Sequence, residues 1–302
     1  MRLLLFGCNG QVGWELERCL GVLGNVVAVD RVAVDLADGA AVRNAVQRVR
    51  PDVVVNAAAY TNVDGAEREE DTAHAVNALA PESMAQAARE LNALLVHYST
   101  DYVFDGRKEG AWVEDDVTEP INAYGRTKLA GEQAVRASGA AHLILRTSWV
   151  YASRGKNFMR TILGLAQERD VLRVVADQYG APTWARFIAQ ATVMLVQRAM
   201  TDPGSGSLVA AGETIHLANS GVATWHSFAS RVCAKYAEAC GVRIARIDPI
   251  PAEDYRSAAA RPTNSRLDLT RLKQRWGIHT PDWEVACDLV VAELVDCERR
   301  RR

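Results

Sequence analysis

Apolar and amphipathic segments alternate through the first half of the chain. Continuous apolar segments rich in Val, Leu and Ile are typical of strands that are buried on both faces of a sheet. The sequence predicts such strands at residues 2–6, 26–30, 52–56, 94–99 and 142–147. Between them, apolar residues recur at helical spacing, and the predicted helices are at residues 11–20, 40–49, 72–91 and 123–137. This order of elements predicts an α/β fold in which helices cover both faces of a parallel sheet.

The regular alternation weakens after about Ser148, where Gly, Pro and Arg become frequent. Helical patterns remain clear at residues 186–199 and 225–240, so a second, smaller lobe is predicted. The expected units are a larger one at residues 1–148 to which part of 184–220 returns, a smaller α/β lobe at residues 149–183 and about 221–298, and a basic, solvated tail at residues 299–302.

The composition of the 302-residue chain is that of an ordinary soluble protein. Its formal net charge is −2, so it lacks the basic surface that binding to nucleic acid or to an anionic membrane requires. No window approaches the ~18 apolar residues of a membrane span. The six cysteines form neither a C-x-x-C pair nor a metal-binding spacing with histidine. We therefore expect a cytoplasmic protein with reduced thiols and a small-molecule partner.

Three glycines follow the first predicted strand at G-x-x-G-x-x-G spacing. They are Gly7, Gly10 and Gly13, and Gln11 and Val12 lie between the last two. Glycine permits a tight turn and lets the backbone approach a pyrophosphate, while the N-terminus of the following helix offers unpaired N–H donors. Strand, glycines and helix come in the order of a Rossmann-type dinucleotide-binding unit with a doubly wound parallel sheet. The expected cofactor is NADPH or NADH.

The second predicted strand ends at Asp30, which bears on the choice between the two cofactors. Its carboxylate can accept hydrogen bonds from the adenosine ribose hydroxyls, which favours NADH. Arg31 follows directly, and a guanidinium there can pair with the 2′-phosphate of NADPH. An ordinary turn after a strand would also explain Asp30. The cofactor preference therefore stays open.

Further cofactor contacts are expected after the second and third strands. Two residues just before a predicted helix could flank the adenine, and small residues at the end of the third strand would let the cofactor approach closely. Helix capping and tight packing are the alternative explanations. The candidate residues at these places are Asp35, Leu36, Ala57, Ala59, Tyr60 and Thr61.

A tyrosine and a lysine stand four residues apart in the predicted helix at 123–137. This spacing places Tyr124 and Lys128 on one helical face, about 6 Å apart. Carbonyl reduction needs a proton donor for the alkoxide that forms, and a nearby cation makes a phenol a better acid. Thr100 follows the fourth predicted strand at its carboxyl end, where it could hydrogen-bond a keto oxygen. Capping of the strand end is the alternative explanation for Thr100.

With these residues the chain resembles the dTDP-4-dehydrorhamnose reductase family of extended short-chain dehydrogenases/reductases. The resemblance covers nearly the whole length. The segments that carry it are LLFG at 4–7 with GQVG at 10–13, VNAAA at 55–59, HYSTDYVF at 97–104, YG at 124–125 with TKLAGE at 127–132, RTSWVY at 146–151, DQ at 177–178 with GAPT at 180–183, and RP at 261–262 with NSRL at 264–267.

The resemblance implies an activity and three catalytic residues. The activity is hydride transfer from NADPH or NADH to the C4 keto carbon of dTDP-4-dehydro-L-rhamnose, which gives dTDP-L-rhamnose. Tyr124 would be the acid, Lys128 its partner and a ligand of the cofactor ribose, and Thr100 the third catalytic hydroxyl.

The resemblance also implies contacts with the nucleotide sugar. Asp101 and Trp149 would touch it, and Tyr102 joins them as a neighbour of Asp101. An Asx-turn, a packing aromatic and a buried core tryptophan would explain these three residues as well. Arg261 and Arg266 would clamp the diphosphate, with surface salt bridges as the alternative.

Metal use, oligomeric state and two other functions stay open. Some members of the family use Mg²⁺, but no acidic cluster fixes a site here, and Arg186 just after the motif at 180–183 disfavours one nearby. A homodimer is compatible with the resemblance. The alternative functions are an epimerase or dehydratase acting on a nucleotide sugar and a non-catalytic NADP-binding regulatory subunit. The extra acid–base pair that dehydration needs beside the tyrosine is not evident in the sequence. The presence of Tyr124, Lys128 and Thr100 disfavours the regulatory subunit.

Overall fold

The fold is an α/β arrangement whose strands are mostly short. The computed structural model describes residues 1–300, Gly206 by its backbone alone. The strands in this span are, in chain order, β1 (Arg2–Phe6), β2 (Asn25–Val29), β3 (Val53–Asn56), β4 (Leu94–Thr100), β5 (His142–Thr147), β6 (Val150–Tyr151), β7 (Val171–Val175), β8 (Tyr179–Gly180), β9 (Thr183–Trp184), β10 (Glu213–His216), β11 (Ala223–Thr224) and β12 (Arg246–Ile250).

Helices separate most of the strands. They are, in chain order, α1 (Gln11–Cys19), α2 (Gly39–Val49), α3 (Val63–Ala66), α4 (Glu70–His74), α5 (Ala80–Leu91), α6 (Ala123–Ser138), α7 (Phe158–Glu168), α8 (Ala185–Thr201), α9 (Pro203–Ala211), α10 (Trp225–Cys240), α11 (Thr270–Trp276) and α12 (Trp283–Arg299). Over residues 1–300, none of the helices combines the length and the apolar character needed to cross a membrane.

Six parallel strands form the central sheet in the order β10-β5-β4-β3-β1-β2. The predicted α/β class is therefore confirmed, and each of the five predicted strands lies within one residue of its expected bounds. The chain places β2 on one side of β1 and β3, β4 and β5 on the other. Because the strand order reverses between β1 and β3, their carboxyl ends flank the crevice where open α/β sheets bind ligands.

Two apolar layers cover the faces of this sheet. Along β1, Leu3 and Leu5 belong to the layer that contains residues of α1 and α8. Leu4 and Phe6 belong to the opposite layer, which contains residues of α2 and α5. This alternation is the two-residue period of a strand. Burial on both faces explains why the strand sequences are continuously apolar.

A separate apolar cluster is formed mainly by residues of α7, α10, α12 and β7, which fall in the predicted smaller lobe. The division of the chain into two lobes stays a prediction, and the packing changes one part of it. Leu272, Trp276 and Ile278 were expected in the smaller lobe, but they lie in the first layer of the large sheet. The reason is that α11 packs beside β10.

Two further expectations differ from the structure. The helix predicted at 72–91 is interrupted by a π-helical turn at Ala75–Leu79, between α4 and α5. The predicted tail is also shorter than expected, because Arg299 ends α12 and its guanidinium donates to the Ala239 carbonyl oxygen at 2.7 Å. Arg301 and Arg302 of that tail lie outside the described residues.

Candidate active site

The glycine turn after β1 packs tightly against itself and against the end of β3. Gly7 has a φ of +83°, and a Cβ atom there would lie 2.7 Å from the Ala58 nitrogen. A Cβ atom on Gly13 would lie 2.0 Å from the Gly7 carbonyl oxygen, which accepts a hydrogen bond from the Gly10 N–H at 3.0 Å. A larger side chain at Gly7 or Gly13 would therefore push the strand, the turn and α1 apart.

Helix α1 begins directly after this turn and offers free backbone donors. Gly10 precedes the helix without a side-chain cap, so the first N–H groups of α1 remain available to an anion. The Gln11 side chain accepts a hydrogen bond from Asn157 at 2.9 Å, which ties the start of α1 to the smaller lobe. Val12 packs against the core of the sheet. These residues fit the diphosphate of a dinucleotide cofactor.

Asp30 lies beside the glycine turn and is held by three N–H donors. Its Oδ1 accepts from the backbone N–H groups of Val32 and Ala33 at 3.0 Å each, and its Oδ2 accepts from the Asn9 side chain at 2.9 Å. The bond from Ala33 is the main reason that the pKa of Asp30 is lowered, so the carboxylate is ionised at neutral pH. Asp30 therefore forms the turn that was one explanation for it. It also lies at the mouth of the predicted cofactor site.

The neighbours of Asp30 along the chain differ in exposure. Arg31 is exposed next to it, where a phosphate could reach its guanidinium. Asp35 is also exposed, and its Oδ1 caps the Ala37 N–H at 3.1 Å. Leu36 is buried in the apolar layer that contains α2. The contacts of Asp35 and Leu36 with an adenine ring stay predictions, since capping and packing already account for both side chains.

The loop after β3 is fixed by a residue that the sequence did not single out. Asn77, in the π-helical turn, accepts from the Tyr60 N–H at 2.9 Å and donates to the Tyr60 carbonyl oxygen at 3.1 Å. Its side-chain nitrogen also lies 3.1 Å from the Thr127 hydroxyl, on the helix that carries the predicted acid. Ala57 and Ala59 are partly buried in this loop and Thr61 is exposed. Asn77 therefore links the predicted cofactor loop to α6.

Thr100, Asp101, Tyr102 and Tyr124 meet at the carboxyl end of β4. The Thr100 hydroxyl donates to Asp101 Oδ1 at 3.0 Å and accepts from the Tyr102 N–H at 3.2 Å. The rings of Tyr102 and Tyr124 pack edge to face, with their centroids 5.6 Å apart. Burial raises the pKa of Tyr124 to about 12, while the Thr100 hydroxyl acts to lower it and the Asp101 carboxylate acts to raise it.

Lys128 lies one helical turn after Tyr124 and is buried. Its ammonium donates to the Tyr98 carbonyl oxygen at 2.6 Å. Burial lowers the pKa of Lys128 to about 8, and the carboxylate of Glu132 opposes this shift. Glu132 is in turn paired with the buried guanidinium of Arg146, with both oxygens at 2.8 Å. In this structure the Tyr124 pKa is set by burial, Thr100 and Asp101, so the predicted effect of Lys128 on the phenol stays a prediction.

Trp149 lies at the junction of the sheet and the smaller lobe. It has a φ of +47°, and its ring stacks on Trp225 with centroids 3.6 Å apart and an interplanar angle of 12°. A Cβ atom on Gly180 would lie 2.7 Å from the Trp149 ring, so glycine is required beside it. Trp149 is only partly buried, and the contact that it was expected to make with a sugar stays a prediction.

The two predicted diphosphate clamps are engaged within the protein. Arg261 pairs with Asp64 at 2.9 Å. Burial raises the pKa of Tyr102, and Arg261 lies close enough to that phenol to oppose the shift. The Arg266 guanidinium donates to the Asn264 side chain at 2.8 Å and to the Glu109 carbonyl oxygen. Arg261 therefore belongs to the cluster around Tyr102, whereas the polar contacts of Arg266 lie elsewhere.

A magnesium ion does not fit the acidic side chains of the described residues. Among residues 1–300, no three His, Cys, Asp or Glu side chains are placed to hold a metal ion together. Glu15 on α1 and Glu293 on α12 do converge, but Arg186 lies between them. Its guanidinium bonds Glu15 at 3.1 Å and Glu293 at 2.9 Å. The guanidinium of Arg186 therefore already neutralises these two carboxylates.

Comparisons with known proteins identify the family of the chain. The family model described as RmlD substrate binding domain matches residues 1–295. A dTDP-4-dehydrorhamnose reductase from Burkholderia thailandensis is 46% identical over 298 residues, which covers 98% of this chain and 99% of the relative.

Solved structures give the same result. A dTDP-4-dehydrorhamnose reductase from Clostridium acetobutylicum superposes with a TM-score of 0.88 at 32% identity, over 97% of this chain and 99% of that one. A dTDP-4-dehydrorhamnose reductase from Bacillus anthracis, in complex with NADP, superposes with a TM-score of 0.86 at 33% identity over the same shares. The family match over almost the whole length, with the glycine turn and the cluster at the end of β4 in place, means that the chain belongs to the RmlD substrate binding domain family.

Proposed function

We propose that this chain is an NAD(P)H-dependent dTDP-4-dehydrorhamnose reductase, which reduces the C4 keto group of dTDP-4-dehydro-L-rhamnose to give dTDP-L-rhamnose. The observation that carries the proposal is the meeting of Thr100 and Tyr124 at the same edge of the sheet as the glycine turn. The names of the relatives, at up to 46% identity over almost the whole chain, support the substrate. The NADP complex of the Bacillus anthracis relative supports the cofactor.

The side chains at the end of β4 suit the proton transfer that this reduction needs. The bound nicotinamide supplies the hydride, which leaves negative charge on the keto oxygen. Tyr124 has a pKa of about 12, so its phenol is protonated at neutral pH and can give its proton to that oxygen. Thr100 lies beside the phenol and orients it. Lys128, held at the Tyr98 carbonyl, is the predicted ligand of the cofactor ribose.

The glycine turn and the residues after it are the proposed cofactor site. Gly7, Gly10 and Gly13 let the backbone approach the diphosphate, and the free N–H groups of α1 face it. Asp30 and the exposed Arg31 are adjacent, so one ribose can meet either a carboxylate or a guanidinium. On this basis we propose that both NADH and NADPH are accepted.

The nucleotide sugar is proposed to lie between the cluster at the end of β4 and the smaller lobe. Trp149 offers a flat ring at that junction. Asp101 and Tyr102 follow β4, and Arg261 lies close to Tyr102. Large aromatic faces suit sugar rings and bases, and guanidinium groups suit diphosphates. Arg261 would exchange its bond with Asp64 for one with the ligand.

A turnover assay tests the proposal. The purified chain is mixed with dTDP-4-dehydro-L-rhamnose and NADPH, cofactor oxidation is followed by absorbance, and the product is identified by mass spectrometry. We expect one dTDP-L-rhamnose for each NADPH oxidised. An epimerase or dehydratase would convert the sugar without net oxidation, and a non-catalytic NADP-binding subunit would bind the cofactor without turnover. Either result would replace the proposed function.

We further propose that the protein acts in the cytoplasm as a homodimer and binds neither nucleic acid nor membranes. The free thiols of its six cysteines and the net charge of −2 support the location and the choice of a small-molecule ligand. Val285 and Leu289 support a dimer contact, since both are exposed one turn apart on α12. Light scattering coupled to size exclusion should give twice the mass of one chain. The mass of a single chain would reject the dimer.

A further inference from the structure

Asp101 is a buried acid that the proposed mechanism does not yet use. Only 2% of the residue is exposed, and its Oδ1 is the acceptor of the Thr100 hydroxyl. Its Oδ2 is buried and accepts no hydrogen bond of ordinary geometry from the described residues, although the Ser265 hydroxyl lies near the carboxyl. An ionised carboxylate in such a place is costly unless a cation pairs with it. Burial accordingly raises the pKa of Asp101 to about 6, although the hydroxyls of Ser265 and Thr100 act to lower it.

The hydrogen bonds of Thr100 depend on the protonation state of Asp101. A hydroxyl donates one hydrogen and accepts up to two bonds. One acceptor position of Thr100 is filled by the Tyr102 N–H. When Asp101 is ionised, the single hydrogen of Thr100 goes to Oδ1 and is not available to Tyr124. When Asp101 is protonated, it can donate to Thr100 instead, and the Thr100 hydrogen can turn towards the phenol of Tyr124.

We propose that Asp101 supplies the proton that restores Tyr124 in each turnover, and that it acts through Thr100. The inference rests on the proposed function. Hydride arrives at the keto carbon with its electron pair, and the C=O π pair becomes a lone pair on oxygen. That oxygen takes the Tyr124 proton, Tyr124 takes the Thr100 proton, and Thr100 takes the Asp101 proton. Asp101 is left as a carboxylate, which a solvent proton restores after the product leaves.

The surroundings of Asp101 determine how the relay should respond to pH. The titratable groups that face it are the phenols of Tyr102 and Tyr124, both of which stay neutral at physiological pH because burial raises their pKa values. The ion pair of Arg261 and Asp64 lies beyond Tyr102. The relay therefore works when Asp101 is protonated, and kcat should fall as the pH rises through the pKa of that carboxyl.

The test compares kcat at saturating substrate and NADPH, from about pH 5 to pH 8, for the wild type and Asp101→Asn. Asparagine has nearly the same shape and can still hydrogen-bond Thr100, but it cannot release a proton. We expect the wild-type kcat to fall with rising pH. In the variant, kcat should be at least about tenfold lower at the acid end and independent of pH. In mixtures of H₂O and D₂O, the wild-type rate should curve with deuterium content, and the variant rate should be linear.

Two further variants separate the relay from a purely structural role. Asp105→Asn removes a carboxylate from the same loop and should keep the wild-type profile. The Asp105 Oδ1 caps the Arg107 N–H, and its Oδ2 lies 3.9 Å from the Arg107 guanidinium. Ser265→Ala removes a hydroxyl that lowers the pKa of Asp101, so the fall in kcat should move to higher pH. Thermal melts and NADPH titrations check that each variant is folded. If Asp101→Asn does not fold, the shift of the kcat pH profile in Ser265→Ala decides by itself whether the relay operates.

The relay and the proposed function can fail separately. If the wild type never oxidises NADPH with the keto sugar, the proposed function is wrong. If it turns over but Asp101→Asn keeps the wild-type pH profile and a curved isotope plot, Tyr124 is restored by another route and only the relay is rejected. A folded Ser265→Ala variant whose profile does not move would likewise reject it.

Discussion

Gly125 controls how closely the predicted acid approaches its hydroxyl partner. A Cβ atom on Gly125 would lie 2.2 Å from the Tyr102 carbonyl oxygen, so α6 can rest on the 3₁₀ turn that follows β4 only with glycine here. Asn122 begins the helix by accepting from the Gly125 N–H at 2.7 Å. Helical spacing alone predicted that Tyr124 and Lys128 share a face. The contact between Tyr124 and Thr100 depends in addition on this single glycine.

Removal of the phenol oxygen tests the acid directly. Tyr124→Phe keeps the ring that packs on Tyr102 but removes the proton donor. We expect kcat to drop by roughly 10²- to 10⁴-fold, because general acid catalysis contributes about that much. The dissociation constants of NADPH and dTDP-L-rhamnose should change little. Steady-state kinetics and fluorescence titration measure both.

A matched tyrosine provides the control for this variant. Tyr236 lies in the smaller lobe and its hydroxyl donates to Glu298 at 2.8 Å, far along the chain from the proposed site. Tyr236→Phe should leave kcat near the wild-type value. Near-normal turnover of Tyr124→Phe at saturating substrate would show that another group is the acid.

At the scale of elements, the unit formed by β1, the glycine turn and α1 was predictable because it is local. The apolar strand, the glycine spacing and the helical pattern lie within the first twenty residues, and each is specified by the residues themselves. The loop after β3 is different. Its conformation depends on Asn77 in a π-helical turn, and nothing in the helical pattern of residues 72–91 indicated that interruption. Such turns occur frequently at functional sites.

Gly13 is the position where this unit should tolerate substitution least. In Gly13→Ala the new Cβ atom would lie 2.0 Å from the Gly7 carbonyl oxygen if nothing moved. The turn must therefore open. We expect NADPH affinity to fall at least tenfold and the melting temperature to fall as well, since overpacking costs about 1–3 kcal/mol or more. Calorimetric titration and a thermal melt measure the two effects.

Gly164 in α7 gives the opposite expectation with the same substitution. A Cβ atom there meets nothing within 4 Å, so alanine adds no clash. Gly164→Ala should leave NADPH binding unchanged and stabilise the helix by about 0.5–1 kcal/mol. Equal NADPH affinities for the two alanine variants would contradict the proposed cradle.

The end of β2 should decide the cofactor preference. Asp30→Ala removes the carboxylate that can accept from the ribose hydroxyls, and it leaves Arg31 free of a neighbouring negative charge. The dissociation constant of NADH should therefore rise more than that of NADPH, and the ratio of the two reports the effect independently of any change in folding. The same loss for both cofactors, or no loss, would show that Asp30 serves only the turn formed with Val32 and Ala33.

At the scale of the whole molecule, the central sheet was easier to predict from the sequence than the packing of the second half of the chain. Four of the five predicted strands are buried on both faces and the edge strand β2 is partly buried, so their apolar segments identify them without any knowledge of their neighbours. Leu272, Trp276 and Ile278 carry no such signal. They follow the residues of the smaller lobe in sequence, yet they pack on the large sheet, and only the tertiary path of the chain reveals this.

The same limit applies to the candidate site. Thr100, Tyr124 and the glycines have recognisable chemistry at recognisable spacings. Ser265 and Trp225 become part of the site only because segments more than 70 residues away along the chain fold against Asp101 and Trp149. Ser265 lay inside the motif at 264–267, which was the one available sign of its role. Trp225 had no comparable sign.

Trp149 follows β5 of the large sheet and packs against the apolar cluster of α7, α10, α12 and β7. Its substitution tests where the sugar is recognised. Trp149→Ala removes an aromatic contact worth about 0.5–1.5 kcal/mol in addition to buried area, so the dissociation constant of dTDP-L-rhamnose should rise at least several-fold. NADPH affinity should hold, because the glycine turn is not touched. The backbone strain at a φ of +47° is the same for alanine as for tryptophan, so it does not contribute to the difference between the wild type and Trp149→Ala.

Stability must be measured on the same variant, because Trp149 also stacks on Trp225. Truncation of a fully buried tryptophan costs roughly 3–5 kcal/mol, and the partly exposed Trp149 should cost less. Trp276→Ala is the matched control. It is fully buried in the layer beneath the large sheet, so it should lower the melting temperature more than Trp149→Ala and leave the product affinity of the folded protein unchanged. If Trp149→Ala instead keeps the wild-type product affinity while its melting temperature collapses, Trp149 is a core residue and the sugar is recognised elsewhere.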